Sequence, residues 1–280
     1  MINKKQIVVI SSVIILMAVL LSLDIKGLVK PKEQSGTVNA AAPTQVRMIS
    51  VEEISATAKL DLNANLVKQV TDLENELKNA SAENETSVHK KLADLWDGVN
   101  KPAAAAFYHE LIAVKNASYD NWIKTGDEFT NAYQSITDTL IQPALVQKAV
   151  TSFQKALKIN PKGLDAKTGL GVAYVSGSPD PMPGVQLLLS VVKEDPNNIK
   201  ASMNLGLFAM KSGQFDKAVI RFKTVVAQKP DPEAWFYMAT SYENQGLKDE
   251  AVLAYLKSKE LAADPSLGLF IDRKIKELKK

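Results

Sequence analysis

The sequence predicts an all-α protein: about five helical hairpins stacked into an α-solenoid, closed by a C-terminal capping helix and preceded by one N-terminal transmembrane helix. Three observations lead there. Glycine, alanine and aromatic residues recur at a fixed 33-residue offset near the C-terminus; apolar residues elsewhere fall three or four apart; and one 17-residue apolar run stands near the N-terminus. A period of 20 to 50 residues marks stacked repeats, because one such unit cannot bury its apolar face alone.

The apolar run is Ile7 to Leu23, interrupted only by Ser11, Ser12 and Ser22, with Lys4 and Lys5 before it and Asp24 and Lys26 after it. At about 1.5 Å per residue it spans roughly 26 Å, the short end of what crosses a hydrocarbon core and longer than a usual signal-peptide core. Residues 1–26 are therefore expected to be a membrane anchor. The alternative, a cleaved signal, would use Ala40 to Ala42, which lie far beyond the run. Lys26, Lys30 and Lys32 oppose Lys4 and Lys5, so lysine count does not fix the orientation; the very short leading tail favours the bulk of the chain outside the cytoplasm. A single-pass bacterial inner-membrane protein facing the periplasm is the expected setting. Residues 27–49 carry Pro31, Gly36 and Pro43 without a hydrophobic period and read as a mobile linker.

The 33-residue offset appears when "ASMNLGLFAMKSGQFDKAVIRFKTVVAQKP" is set against "EAWFYMATSYENQGLKDEAVLAYLKSKELAADP": Gly213 meets Gly246, Ala218 meets Ala251, and Phe222 meets Tyr255. On these residues the chain resembles the tetratricopeptide repeat family, with Trp235, Met238, Ala239 and Tyr242 adding to the last unit and Leu205, Gly206 and Pro230 to the one before. An earlier unit has Leu170, Gly171, Tyr174, Leu188 and Pro196, with Gly184 in the alanine column. Before it, Trp122, Gly126 and Phe129 pair with Ala149, Phe153, Ala156 and Pro161. Gly126 to Ala149 spans 23 residues where Gly206 to Ala218 spans 12, so this unit carries an insertion. Its first helix is expected to run on toward Ile141 before Pro143 restarts the chain. A degenerate first unit, with Leu92, Ala93, Trp96, Ala105 and Ile112, has His109 in place of the aromatic. The repeat array is thus assigned to residues 85–265. Gly126, Gly171, Gly206, Ala149, Ala218 and Ala251 are read as close-approach positions, and Tyr174, Phe222, Tyr242 and Tyr255 as packing rings rather than a cofactor box.

Both ends of a repeat stack need covering. Residues 266–280 supply an apolar stripe of Leu267, Phe270, Ile271, Ile275 and Leu278, with basic residues outward. Residues 50–84 open with Ser50 and Glu53 at capping-box spacing and place Leu62, Leu66, Val70, Leu73 and Leu77 on one face. That face either covers the open end of the first repeat or pairs with a second copy of the chain as a homo-oligomer, although it is shorter than the three or four heptads of a coiled coil.

Composition narrows the function. Thirty-four basic against thirty-one acidic residues leave a net charge of +3, too small and dispersed for a nucleic-acid surface. There is no cysteine and only His89 and His109, so neither a disulfide nor a thiolate or imidazole metal cluster is expected. No nucleophile–base pairing, phosphate loop or HExxH arrangement stands out, so the reading is not an enzyme and no cofactor is expected.

What the resemblance implies is a groove lined by the first helices of successive hairpins, able to hold a partner peptide or amphipathic helix. Carried over residue by residue, its positions are Asp127, Val172, Val175, Lys200, Met203, Leu207, Met210, Phe236, Thr240 and Glu243. Asp94, Met203 and Phe236 stand where chaperone-binding members keep carboxylate-clamping residues, and Asn204 alone is not a clamp. An apolar or amphipathic segment is therefore expected, with Met203, Leu207 and Phe236 as anchors, unless the inserted stretch near Tyr133 to Ile141 covers some of them. The functional expectation is a membrane-anchored adaptor or scaffold. The alternative is an assembly or maturation factor docking on a membrane enzyme complex, as in cytochrome c biogenesis or periplasmic chaperoning.

Overall fold

The structure, a computed structural model, describes residues 49–280. The expected anchor at 1–26, and all but the last residue of the linker at 27–49, lie outside the described residues. Among the described residues no helix is long and apolar enough to cross a membrane.

Thirteen helices and no strand occur among the described residues. Helices α1 (Val51–Lys59) and α2 (Ala64–Lys78) precede five hairpins. These are α3 (Glu85–Gly98) with α4 (Pro102–Lys115), α5 (Tyr119–Ser135) with α6 (Gln142–Ile159), α7 (Leu164–Gly177) with α8 (Met182–Glu194), α9 (Ile199–Lys211) with α10 (Phe215–Gln228), and α11 (Pro232–Asn244) with α12 (Lys248–Leu261). Helix α13 (Pro265–Leu278) follows.

Local chemistry sets these limits. Ser118, Asn198 and Asp231 each accept a backbone N–H at the start of α5, α9 and α11, satisfying one of the donors every helix N-terminus leaves open. Ser50 does the same for α1, accepting from Glu53 N–H at 3.2 Å. The turns within hairpins are of two kinds. In the fourth, Gly213 sits at φ +72°, its N–H bonds Met210 C=O, and Gln214 N–H reaches back to Ala209 C=O at 2.8 Å. Gly246 at φ +74° repeats the motif, with Leu247 N–H on Tyr242 C=O. Asn100, at φ 54°, makes the same left-handed stop in the first hairpin, with Lys101 N–H on Trp96 C=O. This is the Schellman ending, open to glycine and next to asparagine.

The second and third hairpins end differently. Helix α5 stops at Ser135 and Ile136 is extended, so the expected continuation toward Ile141 is not what the chain does. Asp138 instead accepts Leu140 N–H, and Gln142 Nε2 donates to Ile136 C=O at 3.0 Å, local bonds that compete with helix. The inserted residues form the loop 136–141 and lengthen α6 at its start, where Pro143 is tolerated in the first turn.

Close approach at glycine holds the second, third and fourth hairpins. A Cβ at Gly126 would lie 2.7 Å from the Phe153 ring, and one at Gly206 would lie 2.6 Å from Phe222. In the third hairpin a Cβ at Gly171 would meet Leu188 at 2.9 Å, while one at Gly184 would sit 2.5 Å from Gly171 C=O. That backbone contact explains why this unit has glycine in a column that elsewhere reads alanine. Phe153, Phe222 and Tyr255 are fully buried between helices, whereas Tyr174 and Tyr242 are half-buried.

At the front, α1 and α2 lie on the first hairpin, with Val70 fully buried and Leu62, Leu73 and Leu77 packed on the same core. The face thus covers the end of the array, although Leu62 precedes α2, whose N-cap is Asn63. At the back, α13 buries Ile271 and packs Leu267, Ile275 and Leu278 on the last hairpin; Phe270 of the expected stripe turns partly outward and stays 38% exposed.

Candidate functional site: a channel along the first helices

Helices α5, α7, α9 and α11 together enclose a recess of about 420 Å³. Tyr133 and Gln134 come from α5, Val175 and Ser176 from α7, Asn204, Leu207, Phe208 and Lys211 from α9, and Tyr237 from α11; Gln142, at the start of α6, completes the wall. Tyr133 OH donates to Ser176 C=O, tying α5 to α7 at the edge of the recess. Asn204 Nδ2 donates to Lys200 C=O at 2.8 Å, and that bond leaves the amide oxygen as the acceptor of this side chain. Tyr237 stacks on Phe222 at 5.8 Å and donates to Glu233 at 2.9 Å. Burial and the Glu233 carboxylate push its phenol up to about 12, so it remains a protonated hydroxyl at neutral pH. Lys211 makes no ion pair among the described residues.

The floor is apolar at Val175, Leu207 and Phe208, and the rim carries amide, hydroxyl and ammonium groups. Among the described residues no carboxylate or histidine lines it. Such a surface can desolvate an apolar side chain while the amides answer the N–H and C=O of an extended or helical segment.

Of the ten groove positions expected from the sequence, two, Val175 and Leu207, line the recess. Met203 and Met210 are half-buried against the cluster formed by the last two hairpins. Asp127 and Lys200 form an ion pair at 2.6 Å that links α5 to α9, one hairpin further on than sequence neighbours reach. Val172 is a correction: it is only 3% exposed, packed with Val185, Leu188, Val191 and Leu205, because Gly169 and Gly171 let α7 sink against Phe153 and Leu188.

Phe236, Thr240 and Glu243 are occupied within the chain. Phe236 contacts Tyr255 at 5.6 Å and Phe270 at 5.9 Å, Thr240 and Tyr255 hydroxyls meet at 3.2 Å, and Glu243 takes Tyr255 OH at 2.7 Å and Lys274 at 2.8 Å. Burial opposes ionisation of Glu243, but its bonds to Lys274 and Tyr255 outweigh that and hold the carboxyl below its usual range. Helix α13 therefore closes the far end of this face. Sequence reasoning missed Tyr133, Gln134, Gln142, Ser176, Phe208, Lys211 and Tyr237 as lining residues. Phe208 and Tyr237 each sit one position after a residue that was chosen, whereas Tyr133 and Gln142 flank the insertion, whose path no repeat pattern specifies.

Tetratricopeptide repeat family models match residues 185–241 and 233–261. Among solved structures, a tetratricopeptide repeat protein from Parabacteroides merdae superposes with a TM-score of 0.53 at 13% identity, over 82% of this chain and 83% of that one. A thermophilic TPR protein of Thermus thermophilus superposes with a TM-score of 0.51 at 20% identity, over 67% of this chain and 97% of that one. At these identities the likeness is one of fold. Comparison with curated proteins gives no match.

Proposed function

We propose that this chain, a tetratricopeptide repeat protein, is a membrane-anchored adaptor that holds a segment of a partner protein in the channel along its first helices. The observation that carries this reading is the recess where Val175, Leu207 and Phe208 form an apolar floor beneath Gln134, Gln142, Asn204 and Lys211. An array of this kind is generally a protein-interaction scaffold, and nothing among the lining residues pairs a nucleophile with a base. The apolar run Ile7 to Leu23 supports attachment to the membrane, with the repeats on its periplasmic side in a bacterial setting.

The occupant that fits is a segment with one or two apolar side chains for the floor and a carboxylate for Lys211. The test replaces Leu207 and Val175 with aspartate in the full membrane-inserted chain and measures recovery of co-purified protein. The reading expects recovery to fall at least tenfold while the helical spectrum is unchanged. Recovery at the level of the parent chain would refute it. A single enzyme complex recovered in fixed stoichiometry would turn the adaptor into an assembly factor using the same channel.

A further inference from the structure

A second recess lies on a different face of α9, about 100° around the helix from the channel face. It is open between α8 and α10 and measures about 660 Å³. Met182 and Leu189 of α8, Phe208 of α9 and Ile220 of α10 line it. Met182, Leu189 and Ile220 are 48%, 44% and 61% exposed. Single exposed apolar residues are ordinary on a protein surface, but here three of them, on two separate helices, line one concavity.

The charge beside this patch has one sign. Lys217 and Arg221, one helical turn apart on α10, line the recess, and no carboxylate does. Lys217 Nζ donates only to Gln214 Oε1, and Arg221 makes no ion pair or hydrogen bond among the described residues. An unpaired guanidinium beside an apolar trough is a ready site for a carboxylate, which it can hold through two parallel N–H bonds.

We propose that this recess receives an amphipathic helix of a partner protein, its apolar side chains entering between Leu189 and Ile220 and its carboxylates meeting Lys217 and Arg221. The trough runs between two helices, so a third helix laid along it presents side chains at i, i+3, i+4 and i+7 to the floor, with acidic residues on the α10 side. The occupant is separate from anything held in the channel. Phe208 lines both recesses and is the one side chain they share.

The experiment uses the full chain in zwitterionic nanodiscs and two labelled synthetic helices with the same leucine stripe, one flanked by glutamates and one by lysines, with empty nanodiscs as the blank. Fluorescence anisotropy is expected to show saturable binding of the glutamate helix and at least tenfold weaker binding of the lysine helix. Ile220→Asp, at an exposed position where the fold tolerates charge, should weaken the glutamate helix at least tenfold. The double change K217E and R221E should reverse the preference between the two helices. Leu207→Asp, in the channel, should leave it unchanged.

Equal binding of the two helices, no saturable binding of the glutamate helix, binding that survives Ile220→Asp, or loss with Leu207→Asp would each overturn the proposal. So would self-association of the protein that Ile220→Asp abolishes, since the occupant would then be a second copy.

Discussion

The fourth and fifth hairpins differ from the second and third in how the chain turns between paired helices, and the difference separates what holds this fold from what shapes its surface. Gly213 and Gly246 reverse the chain in a left-handed step, and the 33-residue period survives there. The second and third hairpins turn through extended residues at Ile136 and Ser178, and there the spacing changes: Gly126 to Ala149 spans 23 residues and Gly171 to Gly184 spans 13, against 12 from Gly206 to Ala218. Yet the helices of the second, third and fourth hairpins pack by the same device, a glycine backbone against a ring or a leucine, and the fifth, with no glycine in either helix, buries Tyr255 in one cluster with Ala239 and Ala251. A buried ring or leucine is thus repeated along the array, while the channel draws half of its lining from the two hairpins whose turns depart from the repeat.

If packing is common to both regions, removing a buried ring should cost most. Phe222→Ala and Phe153→Ala are each expected to lower the unfolding free energy by about 3 to 5 kcal/mol, measured by urea denaturation. A loss below about 1 kcal/mol at either would separate the two regions energetically.

The third hairpin sharpens the comparison, because its contact is backbone on backbone. Gly184→Ala places a methyl 2.5 Å from Gly171 C=O and is expected to destabilise by about 1 to 3 kcal/mol. Gly98→Ala, where a Cβ would meet nothing within 4 Å, should be neutral or slightly stabilising. Next come the turns themselves. Gly213→Ala forces a side chain into the left-handed region and should cost about 1 to 2 kcal/mol although nothing is crowded there.

The first hairpin adds a pH dependence set by a buried imidazole. His89 is 4% exposed, its Nδ1 has no hydrogen-bond partner among the described residues, and its ring lies 6.2 Å from that of Tyr108. Burial holds its imidazole below the usual histidine range, against the pull of the Glu85 carboxylate, which is itself paired with Lys115. The unfolded chain therefore takes up the proton first on acidification. Stability is intact above the ordinary histidine value near 6.5, falls as the pH drops below it, and levels off once the folded imidazole is also protonated. Denaturation midpoints at about pH 7.5 and about pH 5.5 should differ in the parent chain and differ less in His89→Phe.

Smallest of all is the Asp127–Lys200 pair. Its side chains are 36% and 50% exposed, so Lys200→Ala should change stability by only about 0.2 to 1 kcal/mol, less in high salt.

The stacked hairpins were legible in the sequence because the residues that hold them are those that recur. Gly206 and Phe222 are fixed by contact with each other, and Gly213 and Gly246 by backbone conformation, so the constraint shows in the sequence as a recurring residue type. The channel was only partly legible. Val175 and Leu207 follow from the repeat register, but Val172 is pulled inward by the glycines beside it, and Phe236, Thr240 and Glu243 are covered because the array ends at α13. The recess between α8 and α10 left no repeated signal, since Leu189 and Ile220 do not share a repeat position.

The most direct test of the central claim is photocrosslinking in cells from a reactive residue placed at position 207, with position 253 on the exposed side of α12 as the reference. The account predicts a discrete crosslinked protein from 207 that is absent from 253 and is lost when Val175 is changed to aspartate. The same adducts from both positions, or none from 207, would contradict a channel that holds a polypeptide.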